Sequence, residues 1–326
     1  MTTGAIVSAR NLNRSFKDVQ AVRDVSFEIF PGQVVGFIGA NGAGKTTTMR
    51  ILATLDLPTS GTAEICGCDI VSFPREVRAR IGWMPDNYGT YQHMTVFEYL
   101  DFYGRAYGFK GAERVRRLEE VMEFTELTSL SDRAIDKLSK GMGQRLCLGR
   151  TLLHDPDVLI LDEPAAGLDP KARIEFKRLV RLLADNGKTI FISSHILSEL
   201  GEMCDSLLFI DSGRIVHHGS AESLQEMAST TIAAVDIQVA GPPAALSQWI
   251  ALHPGVTLLE TRKRGARVKF DQDDPEFLAA LLRQMIMDGL VVTEFHREER
   301  KLEDVFIEML KKIEPPSATP PPLPKS

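Results

Sequence analysis

The sequence predicts an α/β protein built on a parallel sheet, followed by a smaller α+β unit. Three observations carry this. The run VVGFI (Val34–Ile38) is apolar on both faces, as a strand covered from both sides must be. From Val158 onward the short apolar strands VLILD, TIFISS and SLLFID alternate with helical segments near Lys171–Asp185 and Leu197–Met203. That alternation builds parallel sheets. After about residue 227 the order becomes strand (Ile232–Val239), helix (Pro243–Leu252), strand (Val256–Thr261), strand (Arg267–Asp271), helix (Pro275–Asp288) and strand (Leu290–Phe295). This βαββαβ succession fits a small ferredoxin-like domain.

The elements follow in order. Ala5–Leu12 and Val25–Ile29 show strand patterning, and a Pro31-Gly32 turn leads into Val34–Ile38. Glycines end that strand, and a helix is expected through Thr46–Leu55, stopping before Pro58. Thr95 and Glu98 form a capping box that opens a helical stretch reaching about Ser131, with Val96, Leu100, Tyr103 and Tyr107 on one face. A last helix is expected at Leu302–Lys312, and the tail EPPSATPPPLPKS should be extended or disordered. The expected organisation is a first domain over 1–226 with a helical subdomain near 88–145, an accessory domain over 227–313, and a tail over 314–326.

Composition narrows the functional classes. The chain has 326 residues, 44% hydrophobic and 25% charged, enough to bury a core without staples. A net charge of -6 gives no basic field, so nucleic acid is not an expected partner. The four cysteines lack metal-ligand spacing and fit a reduced, intracellular compartment. Cys66 and Cys68 alternate in a strand-like run and should share a face. The opening MTTGAIVSARNLNRSF lacks the apolar run expected of a signal segment, and no stretch approaches the roughly 18 apolar residues of a membrane span. A membrane role would therefore be peripheral, through a partner.

The chemistry starts at GANGAGKTT, Gly39 to Thr47, which fits G-x-x-x-x-G-K-[ST] between a predicted buried strand and a predicted helix. There the backbone N–H groups of Gly42, Ala43 and Gly44 can wrap phosphate oxygens, helped by the dipole of the helix N-terminus. Lys45 supplies charge to the β- and γ-phosphates, and the Thr46 hydroxyl can ligate Mg²⁺. A nucleotide–Mg²⁺ site needs a second, acidic strand end, and VLILDEP provides it. Asp162 would hold Mg²⁺, and Glu163 could orient and deprotonate an attacking water.

LSKGMGQRL, Leu138 to Leu146, resembles the LSGGQ signature of ATP-binding cassette (ABC) proteins and lies shortly before the second acidic strand. Further matches keep that family's order: Phe16 at the adenine-stacking position, Gly167-Leu168-Asp169 at the D-loop, and His195 in ISSHILSE at the switch histidine. The resemblance covers about Ile6 to Gly219. LSKGM, GLDP and LEDVF (Leu302–Phe306) are similar to the ATPase subunits of ABC-2-type exporters of a drug-resistance-like group.

This resemblance implies a P-loop NTPase (RecA-like) core with an antiparallel β subdomain and a helical subdomain. It implies ATP and Mg²⁺ bound by Gly39, Ala40, Asn41, Gly42, Ala43, Gly44, Lys45, Thr46 and Thr47, with adenine on Phe16. Glu163 would be the catalytic base and His195 would contact the γ-phosphate. Ser139 and Gly141, with Asp169, would complete the ATP site of a second subunit, giving a head-to-tail homodimer around two nucleotides. A multi-span membrane permease at the inner face of the cell membrane would be the transport partner.

Several positions depart from the family pattern. Asp86 stands where the Q-loop glutamine is expected. It either ligates Mg²⁺ or caps the following turn. Lys140 and Met142 replace the signature's first glycine and its glutamine, and Ala165 and Ala166 replace residues that are commonly polar. All five tyrosines (Tyr88, Tyr91, Tyr99, Tyr103 and Tyr107) fall in one window, the region that receives the membrane partner in that family. Tyr88 and Tyr91 are its candidate contacts, while Val96, Leu100 and Tyr103 should pack internally. The basic stretch TRKRGARVKF reads as a solvated hairpin or a lipid-headgroup contact. The alternative to a transport ATPase is a soluble ABC ATPase energising a non-transport complex.

Overall fold

The computed structural model describes residues 4–86, 89, 93–201, 203–220, 234–253, 255–270 and 274–297. The chain divides into two units, Met1–Ala221 and Glu222–Ser326. The first contains β1 (Val7–Phe16), β2 (Val19–Ile29), β3 (Val34–Ile38), α1 (Lys45–Leu52), β4 (Ser60–Ile65), β5 (Cys68–Asp69), α2 (Pro74–Arg80) and β6 (Ile81–Met84). It continues with α3 (Val96–Ala106), α4 (Gly111–Phe124), α5 (Lys140–Leu152), β7 (Val158–Leu161), α6 (Pro170–Asp185), β8 (Thr189–Ser194), α7 (Leu197–Leu200), β9 (Ser206–Asp211) and β10 (Arg214–Gly219).

Two sheets form this unit. The larger has the order β10-β9-β3-β8-β7-β6. Its ladders β9/β3, β3/β8, β8/β7 and β7/β6 are parallel, and β10 closes one edge antiparallel to β9. Every residue of β3, β7 and β8 is buried, as strands with helices or sheets on both faces require. The second sheet is antiparallel, in the order β2-β1-β4-β5. One apolar core joins the two: Val7, Leu12, Val25 and Phe27 of the antiparallel sheet meet Phe37, Ile160, Phe191 and Leu208 of the parallel one, with Met49 and Leu52 of α1. Phe27, Phe37 and Phe191 pack as an aromatic trio with centroids 5.1 to 6.4 Å apart. Each such ring contributes on the order of 2–3 kcal/mol by burial.

Some boundaries differ from the sequence expectation for physical reasons. The first strand runs to Phe16 rather than Leu12, because register shifts after Ala9, Leu12 and Arg14 break the two-residue alternation. Strand β2 begins at Val19 rather than Val25; it is the edge of its sheet, and of its first six residues only Val22 is buried, which hides the strand pattern. Helix α1 stops at Leu52, since Thr54 adopts a left-handed φ of 59°. Cys66 is not in a strand. With Gly67 it forms the β4–β5 turn at φ 51°, and both Cys66 and Cys68 are half-buried against the core.

The helical segment around α3 carries the expected capping box. Thr95 N–H donates to Glu98 Oε2 at 2.8 Å, and Glu98 N–H donates to Thr95 Oγ1 at 3.2 Å. Val96, Leu100 and Tyr99 are buried, whereas Tyr107 is exposed and stacks on His154 at 4.3 Å. Arg150 donates to the Tyr99 hydroxyl at 3.1 Å and lies 5.3 Å from the Tyr103 ring. These tyrosines organise the helices. Tyr88 and Tyr91 lie outside the described residues.

The second unit contains β11 (Ala234–Val239), α8 (Pro243–Leu252), β12 (Val256–Arg262), β13 (Gly265–Phe270), α9 (Pro275–Met287) and β14 (Val292–Arg297). Its four strands are antiparallel in the order β12-β13-β11-β14. In strand sequence this is 2-3-1-4, the interleaved order of a ferredoxin-like βαββαβ unit. The inward faces of β11 and β13 meet Leu246, Trp249 and Ile250 of α8 and Leu278 and Met285 of α9. The basic stretch forms the β12–β13 hairpin, where Arg262 pairs with Asp236. The expected helix at Leu302–Lys312 and the tail lie outside the described residues. No described helix is long and apolar enough to cross a membrane.

A candidate nucleotide site at the ends of three parallel strands

In open parallel sheets, ligands bind beyond the carboxyl ends of the strands. Here β3, β7 and β8 deliver Gly39, Asp162 and His195 to that edge. The loop after β3 is shaped by its glycines. A Cβ on Gly39 would run into the carbonyl oxygen of Ile210, and one on Gly44, at φ 110°, would lie 2.5 Å from the Ala21 carbonyl oxygen. These two glycines let the loop press against backbone from β9 and β2. Gly42, at φ 83°, instead faces open space.

The cleft so formed has a volume of about 200 Å³ and is lined by Ala21, Asn41, Gly42, Gly44, Lys45, Thr46, Thr47, Asp86 and Glu163. Gly44 is the N-cap of α1, and no acidic residue occupies that helix's first turn, so its N–H groups point at the cleft without an internal counter-charge. Lys45 is 5% exposed. Its ammonium donates to the carbonyls of Gly39 at 2.7 Å and Ala40 at 3.3 Å, and pairs with Glu163 Oε1 at 3.2 Å.

Glu163 takes a left-handed φ of 47°, which turns the chain away from β7 just before Pro164. Such a conformation costs a non-glycine residue about 1–2 kcal/mol. It separates the two adjacent carboxylates. Glu163 meets Lys45 through Oε1 and His195 Nδ1 through Oε2, the latter at 2.8 Å. Asp162 stays beneath, 1% exposed, and accepts from Ser193 Oγ at 2.6 Å and from the Thr46 hydroxyl. Burial raises the Asp162 pKa above its ordinary value against the lowering effect of these hydrogen bonds, and the charges of Glu163 and Asp86 push in the same direction as burial.

This electrostatics tests the fit of a metal. Asp162 is a buried carboxylate short of positive charge, with a second carboxylate, Asp86, near enough to raise its pKa and a hydroxyl, Thr46, hydrogen-bonded to it. Oxygen donors of this kind suit a hard cation such as Mg²⁺, which takes one or two carboxylates and draws its other ligands from phosphate and water. No group of three His, Cys, Asp or Glu residues forms a self-sufficient metal site among the described residues.

Asn41, Gly42, Gly44, Lys45, Thr46, Thr47, Asp86 and Glu163 thus line one cleft. Ala43 does not line it, Gly39 and Ala40 lie behind it as acceptors for Lys45, His195 reaches it through Glu163, and Asp162 sits beneath it. The structure does not bring every sequence candidate there. Phe16 is 43% exposed on the β1–β2 hairpin, with the Arg14 guanidinium 4.3 Å over its ring, and does not line the cleft. Ser139 caps α5, accepting from Met142 N–H at 3.3 Å, and Asp169 caps α6, accepting from Ala172 N–H at 2.9 Å. Ser139, Gly141 and Asp169 do not line it either. One residue escaped the sequence reading: Ser193 bridges the two acidic positions, donating to Asp162 and accepting from Glu163 N–H at 2.9 Å. Its only signal was a pair of serines ending an otherwise apolar strand.

The chain is similar to known proteins over its first unit and beyond. A family model described as ABC transporter matches residues 22–166. The ABC transporter ATP-binding protein NatA of Bacillus subtilis is 39% identical over 226 residues, covering 68% of this chain and 92% of that protein. The Nod factor export ATP-binding protein I of Burkholderia lata is 36% identical over 307 residues, covering 94% of this chain and 97% of the relative. Among solved structures, an ATP-binding subunit of an ABC transporter superposes with a TM-score of 0.62 at 28% identity, covering 69% of this chain and 93% of the other. The chain belongs to the ATP-binding proteins of ABC transporters, ATPase subunits that power transport.

Proposed function

We propose that this ATPase powers export, working as a head-to-tail pair of chains bound to a multi-span membrane subunit at the inner face of the membrane. The observation that carries the catalytic part is Glu163, held between Lys45 and His195 at the mouth of the phosphate cleft. In the proposed cycle the triphosphate enters along the N–H groups of α1 and draws the Lys45 ammonium onto its oxygens. Glu163 is then released to accept a proton from the water whose oxygen attacks the γ-phosphorus, while ADP leaves with the bridging electron pair. His195 holds the other carboxylate oxygen and so fixes the orientation of the base. Asp162, Thr46 and Asp86 would hold a Mg²⁺ ion, which neutralises phosphate charge when bound.

Pairing is supported by what the cleft lacks. Ser139 and Gly141 open a helix whose N–H groups suit a phosphate, yet they do not line the chain's own cleft. A second chain would supply them. Export is supported by the relatives named for Nod factor export, which match nearly the full length and not the first unit alone. The second unit has no catalytic constellation among its described residues, and we assign it to stabilising the pair or holding the membrane subunit.

Complementation tests the pairing. A Ser139→Arg chain keeps its own phosphate loop and spoils its partner's site; a Lys45→Ala chain does the reverse. Each alone should be nearly inactive, and their mixture should recover turnover from one intact composite site per mixed pair. A mixture as inactive as its components would refute the head-to-tail arrangement.

A further inference from the structure

Strand β8 ends in consecutive serines, and strand geometry sends them to opposite faces. Ser193 serves Asp162, as described. Ser194 turns the other way and donates to Glu199 Oε2 at 2.8 Å, while accepting from Ile196 N–H at 3.0 Å. His195 lies between these two hydrogen-bonded residues. Glu199 is 4% exposed, and its other oxygen lies 3.3 Å from Arg173 Nε. Arg173 belongs to the first turns of α6 and donates through its terminal nitrogen to the Leu168 carbonyl at 3.3 Å. Leu168 immediately precedes Asp169, the N-cap of α6. An unbroken set of contacts therefore runs from the turn carrying His195, through an ion pair between the buried Glu199 and the half-buried Arg173, to the loop at residues 167–169.

Stability alone is a weak reason for this arrangement. With Glu199 buried and Arg173 only half-buried, the cost of desolvating the carboxylate offsets much of what the ion pair contributes. A cation close to a helix N-terminus also opposes the helix dipole. We propose that Glu199 and Arg173 are positioning residues that tie the 167–169 loop to the turn carrying His195. A γ-phosphate met by His195 in one chain then sets the loop that chain presents across the pair. This rests on the paired arrangement proposed above. It gives hydrogen bonds and one ion pair the task of making the two ATP sites respond together.

The test uses the full chain with three variants: Glu199→Gln, Arg173→Met, and the double replacement Arg173→Met/Glu199→Leu. Arg173→Met leaves the buried Glu199 carboxylate unmatched and lowers Tm most; the double change removes both charges and should recover most of that loss, short of the Ser194 hydrogen bond that Glu199 also accepts. Steady-state hydrolysis is measured across ATP concentration. The parent should be cooperative, and all three variants should show a Hill coefficient near 1, roughly the value for independent sites. Their kcat should fall by about tenfold or more, with KM little changed, as misplacement of a catalytic loop does. A double variant that regains the parent's Hill coefficient and kcat together with most of its Tm would overturn the inference, leaving the pair purely structural. If the complementation above succeeds but the parent is not cooperative, the coupling is refuted while the pairing stands. If complementation fails, the pairing itself is refuted.

Discussion

Replacing Glu163 with glutamine changes one charge and almost no volume. In the present structure the carboxylate is shared, with Lys45 at 3.2 Å on one oxygen and His195 at 2.8 Å on the other. Glutamine can still accept from Lys45, which also keeps its two carbonyl partners, Gly39 and Ala40. The fold should therefore survive. The substitution removes one of the two charges of the ion pair, and such a pair contributes about 1 kcal/mol, so the grip on the ammonium weakens by about that amount. An incoming triphosphate competes for that ammonium, so ATP should bind the Glu163→Gln variant about fivefold tighter. Turnover should move the other way, falling by about 10²- to 10⁴-fold with the loss of a general base. Titration with a fluorescent ATP analogue measures the first effect and steady-state phosphate release the second. Release within about tenfold of the parent would refute the base assignment. Weaker ATP binding would refute the competition for Lys45.

Two further outcomes follow from the same site. Gly39→Ala should cost about 3 kcal/mol, because its Cβ meets the backbone oxygen of Ile210 and not a side chain that can swing away; thermal unfolding should show a Tm lower by about 5–10 °C. Asp162→Asn should raise the Tm of the nucleotide-free protein at neutral pH while abolishing hydrolysis. The sign follows from burial. A carboxyl whose folded pKa lies above its unfolded value binds its proton more tightly in the native state, so its charged form opposes folding as pH rises from the ordinary 3.8 through the folded value. The Tm gap between variant and parent should then shrink as pH is lowered toward that range, and a gap independent of pH would contradict the assignment.

Much of the fold was legible because burial writes itself into composition. Val34–Ile38 and Val158–Leu161 could only be covered strands, and the βαββαβ order of the second unit emerged from alternating periods. The first strand was harder. Its bulges erased the alternation beyond Leu12, and β2, an edge strand, was legible only from Val25 although it begins at Val19. The glycine loop at residues 39–47 and the Asp162-Glu163 pair stood out in the sequence because phosphate and metal chemistry restricts residue type and spacing in such patterns. Contacts between distant segments were not. Lys45 meeting Glu163 spans more than a hundred residues, and Ser193, Arg173 and Glu199 are ordinary polar residues until folding brings them together. Phe16, identified through resemblance, lies on the hairpin and outside the cleft walls, with Arg14 stacked against it.

The two serines that end β8 also tie two separate contacts to the spacing of this strand. Ile160 faces Phe191 and Leu161 faces Ile192 on one side, and Ile38 faces Ser194 on the other. A shift of one residue would invert the pleat and exchange the two hydroxyls: the one serving Asp162 would point to Glu199, and the reverse. An apolar substitution inside Thr189–Ile192 disturbs only packing. A one-residue insertion or deletion there would cross-wire two separate tasks at once. Over evolutionary time this strand should therefore vary in the identity of its apolar residues far more freely than in its length.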